Sequence, residues 1–236
     1  MVKNSVLCRN ARTQLGGSIF RSRWFLMLFA LTLASIFTTI PVVLIETSDF
    51  AKEAGLFTKE FRWILFIVGV LLMIMFTGPF SFGVARVTVD CVEGDYWGIG
   101  NVFHGFGKKY FSAILLDFLL NFWLVLWSLL FLLPGLVKTY AYSMAFYVRQ
   151  DPAYAHLEAS DCITESRRMM DGYKWQLFCL DLRFVGWYLL GALCLGVGIL
   201  FVFPYHMVAR ANFYDALKAA HMRAFPAAPI DMRRYR

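Results

Sequence analysis

The sequence predicts an all-α fold: a polytopic membrane bundle of about six transmembrane helices, several broken by Pro or Gly, plus one amphipathic helix outside the bilayer. Composition is the first ground. Of 236 residues, 59% are hydrophobic and 18% aromatic, with a mean hydropathy of +0.58. Soluble domains carry roughly 45–50% apolar residues, so lipid must solvate what no core of this size can hide. The second ground is pattern: apolar runs near the roughly 17–25 residues a bilayer requires recur along the chain, and basic residues gather at their ends.

Residues 1–23 contain Lys3, Arg9, Arg12, Arg21 and Arg23 and no acidic residue. The apolar run that follows, Trp24 to Leu44, is 21 residues long. That exceeds the roughly 7–15 residues of a signal-peptide core, and no small-residue cleavage site follows it. It is expected to be a retained span. Further spans are expected at Trp63–Phe82, Phe111–Leu133, Gly135–Val148, Trp175–Leu193 and Leu195–Val208, the fourth and sixth being short or kinked. With the N-terminus inside, 18 Lys/Arg fall in inner segments and 4 in outer ones, so the positive-inside rule puts both termini in the cytoplasm. The chain reads as one integral membrane domain over 1–236: a basic N-terminal segment 1–23, a bundle 24–214 and a basic tail 215–236.

Two inner loops are expected. The one from Arg86 to Lys109 interleaves Gly94, Gly98, Gly100, Gly105 and Gly107 with Trp97, Phe103 and Phe106. No strand precedes its glycines, so a nucleotide fingerprint is excluded, and an interfacial anchor is expected. In the second, Asp151-Pro152 reads as a helix start. Ala155, Ala159, Cys162, Ile163, Ser166 and Met170 recur at helical spacing, and Asp171-Gly172 ends the pattern. This predicts a cytoplasmic amphipathic helix that lies on the membrane or caps the bundle.

Several functions are argued against. The net charge of +7 sits at span ends rather than in a stripe interleaved with stacking aromatics, so nucleic acid is not an expected partner. The five cysteines, Cys8, Cys91, Cys162, Cys179 and Cys194, form no C-x-x-C pair and are expected to be buried apolar residues. His104, His156, His206 and His221 never reach metal-ligand spacing, and Ser143 and Ser166 lack a nucleophile-elbow context. Neither an enzymatic activity nor a cofactor is expected. His206, just after a proline, reads as a helix-contact residue.

The stretch Leu126-Trp127-Ser128-Leu129-Leu130, Pro134-Gly135, Lys138, Tyr142-Ser143-Met144-Ala145, with Ser166, Met170, Gly172, Lys174, Phe178, Gly186-Trp187 and Pro204-Tyr205, resembles the domain-of-unknown-function 975 family of bacterial membrane proteins. The resemblance spans most of the chain, from Ala11 to Tyr214, and is most specific from Leu126 to Trp187. It implies an integral membrane protein with no established activity, similar to the membrane domain of some glycerophosphodiester phosphodiesterases. None of those enzymes' acidic metal ligands carries over. Arg183 stands where the family has a small polar residue, so any role it has is particular to this chain.

Two groups of candidate site residues follow. Ionisable side chains inside spans are costly and therefore functional candidates: Asp117 with Asn121 one turn on in the third span, and Asp181 and Arg183 in the fifth. Asp181 and Arg183 lie two residues, about 200°, apart around the helix, so at most one faces a given partner. The alternatives are a structural ion pair with a snorkelling arginine, or a polar conduit. Pro134, Gly135 and Lys138 form the second group, at an outer turn where a lysine can snorkel, cap free carbonyls or meet a lipid headgroup. Pro79 and Pro204 each lead through an aromatic to Val-Ala-Arg, a weak hint of an internal repeat. The expected role is a non-enzymatic membrane bundle that contacts lipids, other membrane proteins or an exporter, serving envelope organisation, export or immunity. The alternative is a small transporter or channel using the polar residues of spans three and five.

Overall fold

Long apolar runs favour long helices, and the computed structural model, which describes residues 3–15, 22–54, 59–94, 98–107, 109–130, 132–193 and 197–224, contains only helical elements among them. In order these are α1 (Asn4–Gln14), α2 (Ser22–Ala54), α3 (Lys59–Glu93), α4 (Tyr110–Leu130), α5 (Leu132–Tyr142), α6 (Ala145–Gln150), α7 (Ala159–Met169), α8 (Lys174–Leu193) and α9 (Val197–Ala224). Short 3₁₀ segments cover Ile99–Phe106 and Pro152–Tyr154.

Among the described residues, four helices are long and apolar enough to cross a membrane, at Phe25–Thr47, Trp63–Glu93, Tyr110–Leu129 and Lys174–Leu193. Their outward faces expose large apolar side chains such as Phe29, Ile64, Leu71, Val125, Trp187 and Leu190. A soluble monomer rarely tolerates contiguous apolar surface on this scale, whereas lipid makes it favourable. The expected fourth span, Gly135–Val148, is two helices, α5 and α6, separated by a turn at Ser143–Met144. The Ser143 hydroxyl donates to the Tyr140 carbonyl at 2.8 Å across that break. The expected sixth span is the first half of α9, which continues without interruption to Ala224.

The expected loops are shorter than the sequence suggested. Residues 46–54 remain in α2, and α3 runs past Arg86 to Glu93 because nothing between Ser81 and Glu93 breaks a helix. It stops where Gly94 takes φ +81°, the left-handed position that glycine occupies at a helix end. Pro79 leaves α3 continuous. A proline lacks the N–H that would bond the carbonyl four residues back, and Tyr110 donates its hydroxyl to that carbonyl, Met75 O, at 3.4 Å.

The glycine-aromatic loop folds inward against α3 rather than only along an interface. A Cβ on Gly83 would lie 1.8 Å from the Val102 carbonyl oxygen, and one on Gly105 would lie 2.1 Å from that of Pro79. Backbone therefore packs on backbone, and Phe37, Phe76, Phe80, Phe103, Phe106 and Tyr110 close around the contact, with Phe37 and Phe80 stacked at 5.0 Å.

At the same end of the bundle the basic N-terminal segment forms α1, with Leu7, Cys8 and Ala11 buried. Gln14 donates to Val92 O at 3.2 Å, Asn212 donates to Gln14 Oε1 at 2.6 Å, and Asn4 donates to Gln176 O at 3.0 Å. The N-terminal segment, the end of α3, the start of α8 and the second half of α9 thus meet at one end of the bundle.

The helix predicted to start at Asp151-Pro152 starts later. Asp151 Oδ1 accepts from Ala153 N at 2.9 Å, which caps only the 3₁₀ turn, and α7 begins at Ala159 with the Glu158 N–H donating to Asp161 Oδ2 at 3.4 Å. Ala155 is exposed, whereas Ala159, Cys162, Ile163, Ser166, Met169 and Met170 are buried. Burial pushes the Cys162 thiol up to about 11. Ser166 donates to Ala141 O at 2.9 Å, so α7 caps the bundle over the α5–α6 break. Gly172, at φ +78°, ends the segment as the sequence indicates. Cys8, Cys91, Cys162 and Cys179 are free thiols, and Cys194 lies outside the described residues.

The Gly83 contact yields a test. Gly83→Ala is expected to lower stability in detergent by about 1–3 kcal/mol, the usual cost of overpacking. Gly186→Ala, where a Cβ meets nothing within 4 Å, should leave the thermal midpoint unchanged or slightly raised.

Candidate functional site

His206 and Arg210 lie one helical turn apart on α9 and face α8, where they bracket Asp181. His206 Nε2 is 2.8 Å from Asp181 Oδ1, and Arg210 Nη2 donates to Asp181 Oδ2 at 2.9 Å. Tyr188 OH lies 3.1 Å from His206 Nδ1. With its proton on Nε2, a neutral imidazole donates to the carboxylate and accepts from the tyrosine, so all three groups are matched. Phe184 stacks on the imidazole at 4.6 Å, and the Tyr140 hydroxyl lies within reach of the same carboxylate. The side chains of Asp181, His206 and Arg210 are 17%, 12% and 26% exposed, largely out of water. A carboxylate held there between two cation-capable groups locks α8 to α9.

The sequence-predicted candidates separate into three places. Asp181 joins none of the other three intramembrane candidates. Arg183, two residues on, is exposed, and its charge is felt by Cys8 and Tyr205 rather than by Asp117. Asp117 is half-buried on α4 where α3 comes close: a Cβ on Gly78 would lie 3.1 Å from Asp117 Cβ and 2.7 Å from Ala113 O. Asn121 stays with Asp117, donating Nδ2 to the Asp117 backbone carbonyl at 2.9 Å.

The outer-turn group is also rearranged. Helix α5 starts at Leu132, so Pro134 and Gly135 lie in its first turn. Gly135 is where α5 meets α4: a Cβ there would lie 2.9 Å from Ser128 Oγ. Lys138 Nζ sits 4.4 Å from the centroid of the Trp127 ring, a cation–π contact across the hairpin.

A second polar cluster has no counterpart in the sequence reading. Asp151, 7% exposed, accepts from Tyr214 OH at 2.9 Å and pairs with Lys218. Burial and the Asp151 charge push the Tyr214 phenol far above its ordinary range. These residues, with Arg86, Gln150 and Asp215, line a cavity of about 200 Å³ between α3, the end of α6 and α9. No local pattern ties Asp151 to Lys218 across the intervening chain. The His206/Arg210 spacing of four, by contrast, is a legible sign of two cation-capable groups on one helix face. No group of His, Cys, Asp or Glu among the described residues is arranged to hold a metal ion.

The fold and its buried ionic locks define the class: an all-helical bundle whose exposed flanks suit a bilayer. Residues 134–221 match the model of the family described as a protein of unknown function, DUF975, the family the sequence resembles. The match includes Lys138, Asp181, Arg183, His206, Arg210 and Tyr214, and excludes Asp117 and Asn121. No curated protein and no solved structure matches the chain.

Removing one side of a buried ion pair leaves the other charge stranded, typically at about 3–5 kcal/mol. Because Asp181 retains some exposure, Asp181→Asn is expected to cost roughly 2–3 kcal/mol, read as a lowered thermal midpoint in detergent. Asp117→Asn, which breaks no ion pair recorded among the described residues, should shift it by less than about 1 kcal/mol.

Proposed function

We propose that the protein is a non-enzymatic bundle of the bacterial inner membrane, with both termini in the cytoplasm, that acts through contacts with lipids and other membrane proteins. The observation that carries this reading is how its polar side chains are used. Asp181, His206 and Arg210 bind one another, and Asp151, Tyr214 and Lys218 do the same. These six groups are engaged in joining helices rather than in lining a path or carrying out a reaction. What the bundle presents outward is apolar surface on α2, α3, α4 and α8, available to lipid or to a partner helix. The docking of α1 onto α3, α8 and α9 supports placing the N-terminal segment and the end of α9 on the same side, and the surplus of inner Lys/Arg names that side the cytoplasm.

The second reading, a small transporter or channel, is favoured by one observation: Asp117 lies half-buried against Gly78, beside Pro79 in α3. Reconstitution separates the two. Purified protein in liposomes is expected to resist carbonate extraction, and to pass neither protons nor small ions above the empty-vesicle rate. Robust flux abolished by Asp117→Asn would sink the first reading.

A further inference from the structure

Three of the less exposed cations at this end of the bundle are matched by carboxylates: Arg86 by Asp90 at 3.0 Å, Arg210 by Asp181 and Lys218 by Asp151. One neighbouring pair is not. Arg149, at the end of α6, is 9% exposed, and its Nε donates to Ser112 Oγ on α4 at 2.7 Å. Its Nη1 is buried with no hydrogen-bond partner among the described residues. Beside it, Lys109 Nζ donates to the Arg149 carbonyl at 3.5 Å and lies 5.8 Å from the centroid of the Phe82 ring. Neither cation forms an ion pair with an Asp or Glu among the described residues. Burial and the charges of Arg149 and Arg86 hold the Lys109 ammonium below its ordinary range, as expected where positive charge lacks a counter-charge.

Burying a guanidinium without an anion costs several kcal/mol. A second cation held on the Arg149 carbonyl makes that cost larger unless an anion sits beside the pair. The position indicates which anion. Lys109 immediately precedes the Tyr110–Leu129 span, and Phe111 and Leu115, 83% and 51% exposed, begin that span's lipid-facing side. The pair therefore lies at headgroup depth, next to acyl-chain surface.

We propose that Lys109, Ser112 and Arg149 form a binding site for a phosphate group, supplied by the headgroup of an anionic phospholipid in the adjoining leaflet or by free phosphate. Arg149 donates from Nη1 to a phosphate oxygen, Lys109 contributes an adjustable point charge, and the Ser112 hydroxyl donates to the phosphate while it accepts from Arg149 Nε. The site gives the lipid contacts of the proposed function a location and a chemistry, and it rests on that reading.

Native mass spectrometry of the full-length protein, with phosphatidylglycerol, phosphatidylcholine and inorganic phosphate as probes, tests it. Phosphatidylglycerol is expected to be retained in preference to phosphatidylcholine. Lys109→Gln and Arg149→Gln should each weaken that retention about fivefold, the worth of one cation at an anionic surface, with partial recovery in Arg149→Lys. Lys138→Gln should leave it unchanged. Phosphate binding lost in the same variants, without a lipid preference, assigns the site to free phosphate. Retention of both probes by Lys109→Gln at the wild-type level overturns the site. Lys109 is half-buried, so that variant serves even where Arg149→Gln fails to fold. Wild-type vesicles that resist carbonate and show no flux keep the broader reading intact when the site fails.

Discussion

A charged carboxylate in a lipid-surrounded bundle is costly unless its charge is matched within the protein, because the alternative is hydrocarbon. Asp181 meets that demand from α9, with one oxygen facing His206 and the other facing Arg210. This fixes the rotation of α9 about its own axis, and much of the polar end follows from that rotation. Asn212 and Tyr205 are then presented to α1, where they bond Gln14 and the Cys8 carbonyl. Tyr214 and Lys218 are presented to Asp151, which anchors the chain between α6 and α7. A single charge match thus aligns one face after another along the same helix.

Other contacts between elements rely on closeness rather than charge. Between apolar helices in lipid there is little hydrophobic drive to associate, so small residues that admit close approach supply packing instead. Gly83 and Gly105 seat the 3₁₀ segment on α3, and Gly135 seats α5 on Ser128 of α4. These contacts lie at different places along the bundle from the Asp181 lock. The structure is therefore held by two independent means, and loss of one need not dissolve the other.

Much of this was legible in the sequence. The fold class followed from composition, because the amount of apolar side chain alone excludes a soluble core. Three of the expected spans coincide closely with apolar helices, and the second lengthens because no proline falls between Phe82 and Gly94. The span count was less legible, because hydropathy reports whether a segment tolerates lipid and says little about where a helix breaks; Ser143–Met144 interrupts a run that looked continuous. The start of α7 was misread because Asp151-Pro152 is a good cap, yet it closes a 3₁₀ turn and its carboxylate is occupied by Tyr214 and Lys218. Among the candidate site residues, Asp181 was legible as an intramembrane charge. Its partners were not, because His206 was read alone and Arg210 was not singled out, and two helices had to be placed side by side before their spacing of four acquired meaning.

The distribution of satisfied and unsatisfied charge separates structure from function. Where a buried ion finds its partner on a neighbouring helix, as at Asp181 and Asp151, the energy of the pair is used in holding the bundle together, and a ligand could enter only by displacing that partner. Lys109 and Arg149 are different, because their neighbours supply a hydroxyl, a carbonyl and an aromatic face but no ion-paired carboxylate among the described residues. The neighbours orient the two cations without neutralising them. Beside the matched charges at Asp181 and Asp151, an oriented and unneutralised pair at the membrane boundary is an arrangement that still has binding energy to offer an outside group.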